Sequence, residues 1–274
     1  MKIDIFDTTK LVKLDFDETD EQLFSDPLGH CIQNYDILNE LDTQEGYLNT
    51  MLGTSTGIMA FAAAFPPAAL LILPGVIGLE RAFEYKIIIQ RLRSVTKTLL
   101  ENFGDRGIQI TLRVKTDKAL IDLFVKMPDR RFFALMLRSN GEGSARWREE
   151  KQKFFLHKTG KKSQKWDAMT LTAKQLKSVL HLKDLKSPLV GNTVADRRRQ
   201  VIKTIVLCNK TKIHPDNLSQ YWADFGRIKA NDHQALKIQD DGVFYVVEEK
   251  NLIDFLLMPE KLVISGKKGN NRTV

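Results

Sequence analysis

From Gly46 to Leu79 the chain carries no charged side chain, an uninterrupted run of 34 residues. Its centre reads Gly57-Ile-Met-Ala-Phe-Ala-Ala-Ala-Phe-Pro-Pro-Ala-Ala-Leu-Leu-Ile-Leu-Pro-Gly-Val-Ile-Gly-Leu79. That is longer than the roughly 20 apolar residues needed to cross a bilayer. Pro66-Pro67 removes helical hydrogen bonds near the middle and Pro74-Gly75 weakens the ladder again, so a kinked span and a helix–turn–helix hairpin both fit. A hairpin buried in a soluble core is the third reading. The basic flank of Arg81, Lys86, Arg91, Arg93 and Lys97 places the C-terminal side in the cytoplasm by the positive-inside rule.

Charge divides the chain into unlike parts. Residues 1–56 hold three basic and twelve acidic side chains, a net −9, so a total of +8 leaves +17 on the remainder. A body of that sign attracts polyanions, nucleic acid or anionic lipid headgroups, and the acidic arm suits a basic protein partner. The expected organisation is an acidic N-terminal arm over 1–45, a hydrophobic membrane-association segment or hairpin over 46–79, a basic α/β domain over 80–265 and a disordered tail over 266–274. Cys31 and Cys208 are far apart, with no ligand spacing around either, so neither a disulfide framework nor a zinc site is indicated.

The elements follow from periodicity. Short apolar clusters within 1–45 suit one or two strands or a partner-binding segment. Ile88, Leu92, Val95 and Leu99 predict an amphipathic helix over Glu80–Asn102, and Ile108, Ile110, Leu112 and Val114 alternate with polar residues as a half-buried strand does. Ala119–Val125 and Phe132–Leu137 are near-continuous apolar runs that predict two central strands joined by a turn at Met127-Pro-Asp-Arg-Arg131. A charged helix is expected over Ala145–Leu156, a second over Thr172–Leu182, strands at Thr204–Asn209 and Val243–Val247, and a final helix at Asn251–Leu257.

Recognisable catalytic motifs are scarce. The five histidines are scattered without an HxxxH pair, no serine occupies a GxSxG elbow, and Asn140-Gly-Glu-Gly lacks the Lys-Ser/Thr ending of a phosphate loop. Asp122 stands out because it lies within Ala-Leu-Ile-Asp-Leu-Phe-Val on a predicted central strand. A carboxylate buried there needs a cation or several donors; otherwise it faces solvent or caps a loop.

Over residues 80–257 the order of helix, strand, Asp-bearing strand, next strand, helix, later strand and final helix resembles the restriction-endonuclease-like PD-(D/E)XK nuclease superfamily. The resemblance implies an α/β fold with a mixed sheet flanked by helices, here preceded by an apolar helical (membrane) segment. It makes Asp122 the first metal-binding acid, with Mg²⁺ as the cofactor of any active form. The family's Glu-x-Lys falls on Met136-Leu-Arg138, where a thioether replaces the second acid and a guanidinium replaces the lysine. Glu142, Glu149, Glu150 or Glu84 would then supply the missing carboxylate.

Two functions are expected. One is a membrane-tethered nuclease-like domain that binds nucleic acid through Lys161, Lys162, Arg197, Arg198 and Arg199, with lost or weakened metal-dependent cleavage. The other is a membrane-associated scaffold whose basic face meets anionic lipid.

Overall fold

A computed structural model of the chain describes residues 34–64, 72–115, 120–158, 161–178, 201–217, 235–239 and 242–257. The chain divides into two compact units, Met1–Thr98 and Leu99–Val274.

The first unit contains two long helices, α1 (Asn34–Ala64) and α2 (Ile72–Phe103), the second of which runs on past the boundary between the units. At 1.5 Å per residue each is about 46–48 Å long. Ile37, Leu41 and Gln44 form the buried stripe of α1; Ala82, Ile89, Leu92, Val95, Leu99 and Phe103 form that of α2. Both follow the helical repeat. Three polar contacts set the register between the helices: Lys86 Nζ donates to Asn49 Oδ1 at 2.7 Å, Gln90 Nε2 to Glu45 Oε1 at 2.9 Å, and Arg93 Nε lies 2.5 Å from Asp42 Oδ1. Positions rise along α2 as they fall along α1, so the two form an antiparallel hairpin. These are exposed contacts that select register more than they stabilise.

The charge-free run is thereby shared between the end of α1 and the start of α2, with Pro66-Pro67 between them, outside the described residues. Hydroxyls within and before the run are satisfied by their own helix, Thr50, Thr54 and Thr56 each donating to the carbonyl four residues back. Among the described residues no helix is long and apolar enough to cross a membrane. Residues 34–45, expected in the acidic arm, form the first turns of α1; the apolar clusters of 1–33 lie outside the described residues, as does the 266–274 tail.

The second unit is mixed α/β, with two mixed sheets and flanking helices. Its strands are β1 (Gln109–Lys115), β2 (Leu120–Lys126), β3 (Phe132–Arg138), β4 (Gly143–Arg148), β5 (Lys153–His157), β6 (Gln164–Lys165), β7 (Val201–Leu207), β8 (Thr211–Ile213), β9 (Ala235–Gln239) and β10 (Val243–Glu248). Its further helices are α3 (Asp167–Ser178) and the short α4 (Leu252–Leu256). The larger sheet has the order β1-β2-β3-β7-β10-β9. β1, β2 and β3 form an antiparallel meander, β3–β7 and β7–β10 are parallel, and β10–β9 is antiparallel. The near-continuous apolar runs of β2, β3, β7 and β10 fit strands covered on both faces. Between β2 and β3 the turn is closed by Met127 and Arg131 backbone hydrogen bonds, with Arg130 at φ 65°.

The smaller sheet, β6-β5-β4-β8, corrects the expected helix at Ala145–Leu156. That segment is a β-hairpin, with Trp147 paired to Phe154 and Ala145 to Leu156. The reason is packing. Ala145, Trp147, Phe154 and Leu156 point into the core, where Phe244 of β10 meets both aromatic rings, and this burial outweighs the helical preference of the charged residues between them. α3 contributes Met169, Ala173 and Leu176 to the same core and begins five residues before the expected Thr172. On the opposite face of the large sheet, Phe255 of α4 packs on Phe133 and Tyr245, and the Arg131 guanidinium donates to the Leu256 carbonyl at 2.6 Å.

Candidate functional site

Asp122 is buried on β2 and its Oδ2 accepts two hydrogen bonds, from the Leu137 backbone N–H at 2.7 Å and from Arg138 at 2.8 Å. The Arg138 guanidinium also donates to Thr172 Oγ1 at 2.6 Å and to the Leu137 carbonyl at 2.7 Å, while Thr172 donates to Ala168. One carboxylate thus ties β2, β3 and α3 together through a charge-assisted network. The register that pairs Leu123 with Leu135 sets Asp122 beside Met136. On the other side Arg113 falls opposite Asp122, at the one step of the β1–β2 pairing that is skipped, with φ 47° in the left-handed region. Such a backbone costs an arginine on the order of 1–3 kcal/mol.

The fit of this site to Mg²⁺ can be judged from its donors. Mg²⁺ takes hard oxygens in octahedral array, and here the candidate carboxylate is neutralised by a guanidinium beside a thioether. Glu142 is exposed after β3 and paired with Lys210 at 2.5 Å, a contact that holds its carboxyl below the usual range. Glu149 and Glu150 lie exposed in the turn between β4 and β5, and Glu84 is exposed on α2 in the first unit. Among the described residues no three His, Cys, Asp or Glu side chains converge as a metal site. Of the expected catalytic set, the structure brings together Asp122 and Arg138.

Sequence reasoning passed over Lys203. It is only 4% exposed on β7, opposite Ala134, and has no hydrogen-bond or ion-pair partner among the described residues. Burial first, and then the nearby Lys177, hold its ammonium below the usual lysine range. A Cβ on Gly242 would lie 3.0 Å from Nζ, so the glycine leaves room for it.

The second feature is the outer face of the small sheet. Residues directly opposite in a β pair share a face. Ser144 is opposite His157, Arg146 opposite Phe155, Arg148 opposite Lys153, Lys165 opposite Phe155 and Lys212 opposite Ser144. Five cations therefore share the face that carries Phe155, Arg146 and Lys165 directly opposite it, and no acidic residue occupies these paired positions. Asp167 at the rim pairs with Lys165 at 2.5 Å. The Arg148 guanidinium lies 4.4 Å from the Phe155 ring centroid and Lys151 Nζ lies 5.4 Å from it. His157 lies beside His214 with ring centroids 4.6 Å apart and planes tilted by 53°; burial first, then His214 and the arginines Arg148 and Arg146, hold its imidazole below the ordinary range.

Lys161 and Lys162 are exposed just before β6, whereas Arg197, Arg198 and Arg199 lie outside the described residues. Arg146, Arg148, Lys153, Lys165 and Lys212 were not anticipated as a group. Their signal was the alternation Ala145-Arg146-Trp147-Arg148, which the charge density disguised as a helix.

Fold and geometry define a mixed α/β protein with two mixed sheets flanked by helices and a helical hairpin in its first unit. The chain matches no protein-family model, no curated protein and no solved structure.

Two stability predictions follow from these buried charges. Asp122→Ala removes the acceptor of the Leu137 N–H and the counter-ion of the Arg138 guanidinium, which keeps Thr172 and the Leu137 carbonyl, and should cost about 2–3 kcal/mol in urea unfolding. Pairing Asp122→Leu with Arg138→Met should restore most of that loss. Lys203→Met should raise stability by about 1–2 kcal/mol at neutral pH. The native lysine binds protons less readily than the unfolded one, so wild-type stability should climb as pH rises through its folded pKa towards 10.5. The variant should lack that climb when unfolding is followed across alkaline pH.

Proposed function

We propose that the Leu99–Val274 unit is a nucleic-acid-binding domain of nuclease-like layout in which metal-dependent cleavage is lost or much weakened. The observation that carries this reading is the outer face of the small sheet, where Arg146, Arg148, Lys153, Lys165 and Lys212 share a face with the Phe155 ring and Asp167 pairs with Lys165 at the rim. Neutralising phosphates with such a set releases counterions, the main sequence-independent source of affinity for nucleic acid. The nuclease-like part rests on the order of strand, Asp122 strand, Arg138 strand, α3, β7 and α4, although the β4–β6 strands stand where that order expects the next helix and β8–β10 intervene before α4. Weakened cleavage rests on the Asp122–Arg138 pair, in which the acid that would hold Mg²⁺ is bound to a cation instead.

The expected measurement is a steep salt dependence. Affinity of the full chain for labelled DNA should fall by about tenfold or more between roughly 50 and 200 mM salt. Arg146→Glu with Lys212→Glu should weaken it further and flatten the slope. Incubation with linear, supercoiled and single-stranded DNA in Mg²⁺ and then Mn²⁺ should give no cleavage above an Asp122→Ala control. Robust cleavage lost in that control would return Asp122 to a catalytic role.

Membrane association with the main unit in the cytoplasm is the companion proposal. It is supported by the charge-free Gly46–Leu79 run and by exposed Ile58 and Val76 near the facing ends of α1 and α2. A hairpin inserted from one side needs no complete span, and its apolar end gains from leaving water. The full chain should float with liposomes and resist carbonate extraction. A soluble, monodisperse chain without detergent would remove the tether. An acidic-arm partner and a scaffold role on anionic lipid form the alternative, which binding to lipid vesicles and not to nucleic acid would favour.

A further inference from the structure

We propose that the outer face of the β6-β5-β4-β8 sheet takes single-stranded nucleic acid, with an unpaired base stacked at the Phe155–Arg148 pair. This rests on the nucleic-acid reading above and specifies its substrate.

A sheet that buries one face can leave the other wholly polar, and here seven of the eight paired outer positions are polar or charged. Phe155 is the exception. Its ring contributes nothing to the core, where Phe154 and Leu156, its neighbours in sequence, point. The contacts of the ring are instead cationic, with the Arg148 guanidinium 4.4 Å from its centroid and Lys151 at 5.4 Å. An aromatic ring with a planar guanidinium offers a π surface of the kind on which nucleobases stack. In a duplex the faces of the bases are already occupied by one another. In a single strand they are available.

The cations are arranged to follow a backbone past that ring. Arg146 and Arg148 are two residues apart on β4, about 6.7 Å along the strand, a spacing suited to successive phosphates of an extended chain. Lys153 and Lys165 continue the charge across β5 and β6, and Lys212 extends it on the β8 side. Stacking on a π surface and phosphate contact are chemistry common to DNA and RNA, so the site is assigned to unpaired nucleotides of either sugar.

The test uses the full chain and fluorescence anisotropy with labelled oligo(dT), oligo(rU), a mixed-sequence DNA duplex and phosphatidylserine vesicles. Both single strands should bind more tightly than the duplex. Phe155→Leu should weaken single-strand binding by roughly five- to a hundred-fold, the range expected for one lost base stack. It should leave the duplex affinity and the salt slope unchanged, because no charge is removed. Phe155→Trp should retain binding and show indole quenching on addition of either oligonucleotide, which guards against a folding defect in the leucine variant. The ratio of oligo(dT) to oligo(rU) affinity assigns the preferred sugar. Equal affinity for duplex and single strands, with Phe155→Leu behaving as wild type and Arg146→Glu/Lys212→Glu weakening both, would overturn the stacking site and leave the broader reading standing. Binding to vesicles with none to any nucleic acid would overturn both.

Discussion

A pleated strand sends successive side chains to opposite faces, and in β4 and β5 that rule determines much of what the second unit presents. Ala145, Trp147, Phe154 and Leu156 are drawn into the core against Phe244, α3 and the large sheet. Once they are buried, Arg146, Arg148, Lys153, Phe155 and His157 have no choice but the other face. Burying an apolar set and displaying a cationic one are a single event, so a register slip of one residue would invert both. Fold stability and the display of this cationic face are coupled through this hairpin.

The Asp122 network plays a comparable part on the large sheet. Its carboxylate links neighbouring strands and, through Arg138 and Thr172, the helix laid over them. Buried charge is expensive, and the compensation is a donor from the backbone together with an opposite charge in contact. This arrangement accounts for the aspartate structurally, and it is also why the same atom is poorly placed to hold a hard cation. Lys203 presents the contrasting case, a buried cation with no such compensation among the described residues and a lowered affinity for its proton.

The helical hairpin has a different physics. Its register comes from side chains such as Asp42, Glu45 and Asn49 meeting Arg93, Gln90 and Lys86, of which Asn49 alone lies within the charge-free run. Within the run, the hydroxyls of Thr50, Thr54 and Thr56 are satisfied by their own helix, and the polar contacts between the helices lie at Asn49 and on the side away from the prolines. Apolar and charged segments are thus separated along the two paired helices.

Much of this architecture was legible in residue order. The period-two pattern of Ile108–Val114 and the apolar runs around Asp122 and Met136 located the first three strands, since sheets covered on both faces demand such runs. The repeat of Leu92, Val95 and Leu99 located α2, and Pro66-Pro67 allowed a hairpin. Residues 145–156 were misread because a dense set of charges resembles an exposed helix until something is present for Trp147 and Phe154 to pack against. Which partner Asp122 would find was also beyond one-dimensional reading, because the Leu137 N–H and Arg138 reach it only when β2 and β3 are paired, and Thr172 reaches Arg138 only when α3 is laid over them. The sequence by itself determined where the chain is apolar, where it is basic and which segments repeat with which period, all local properties of covalent order. The tertiary structure alone decided that Arg146, Arg148, Lys153, Lys165 and Lys212 share one face with Phe155, because strand pairing brings distant positions within reach and core burial selects the side on which each is left.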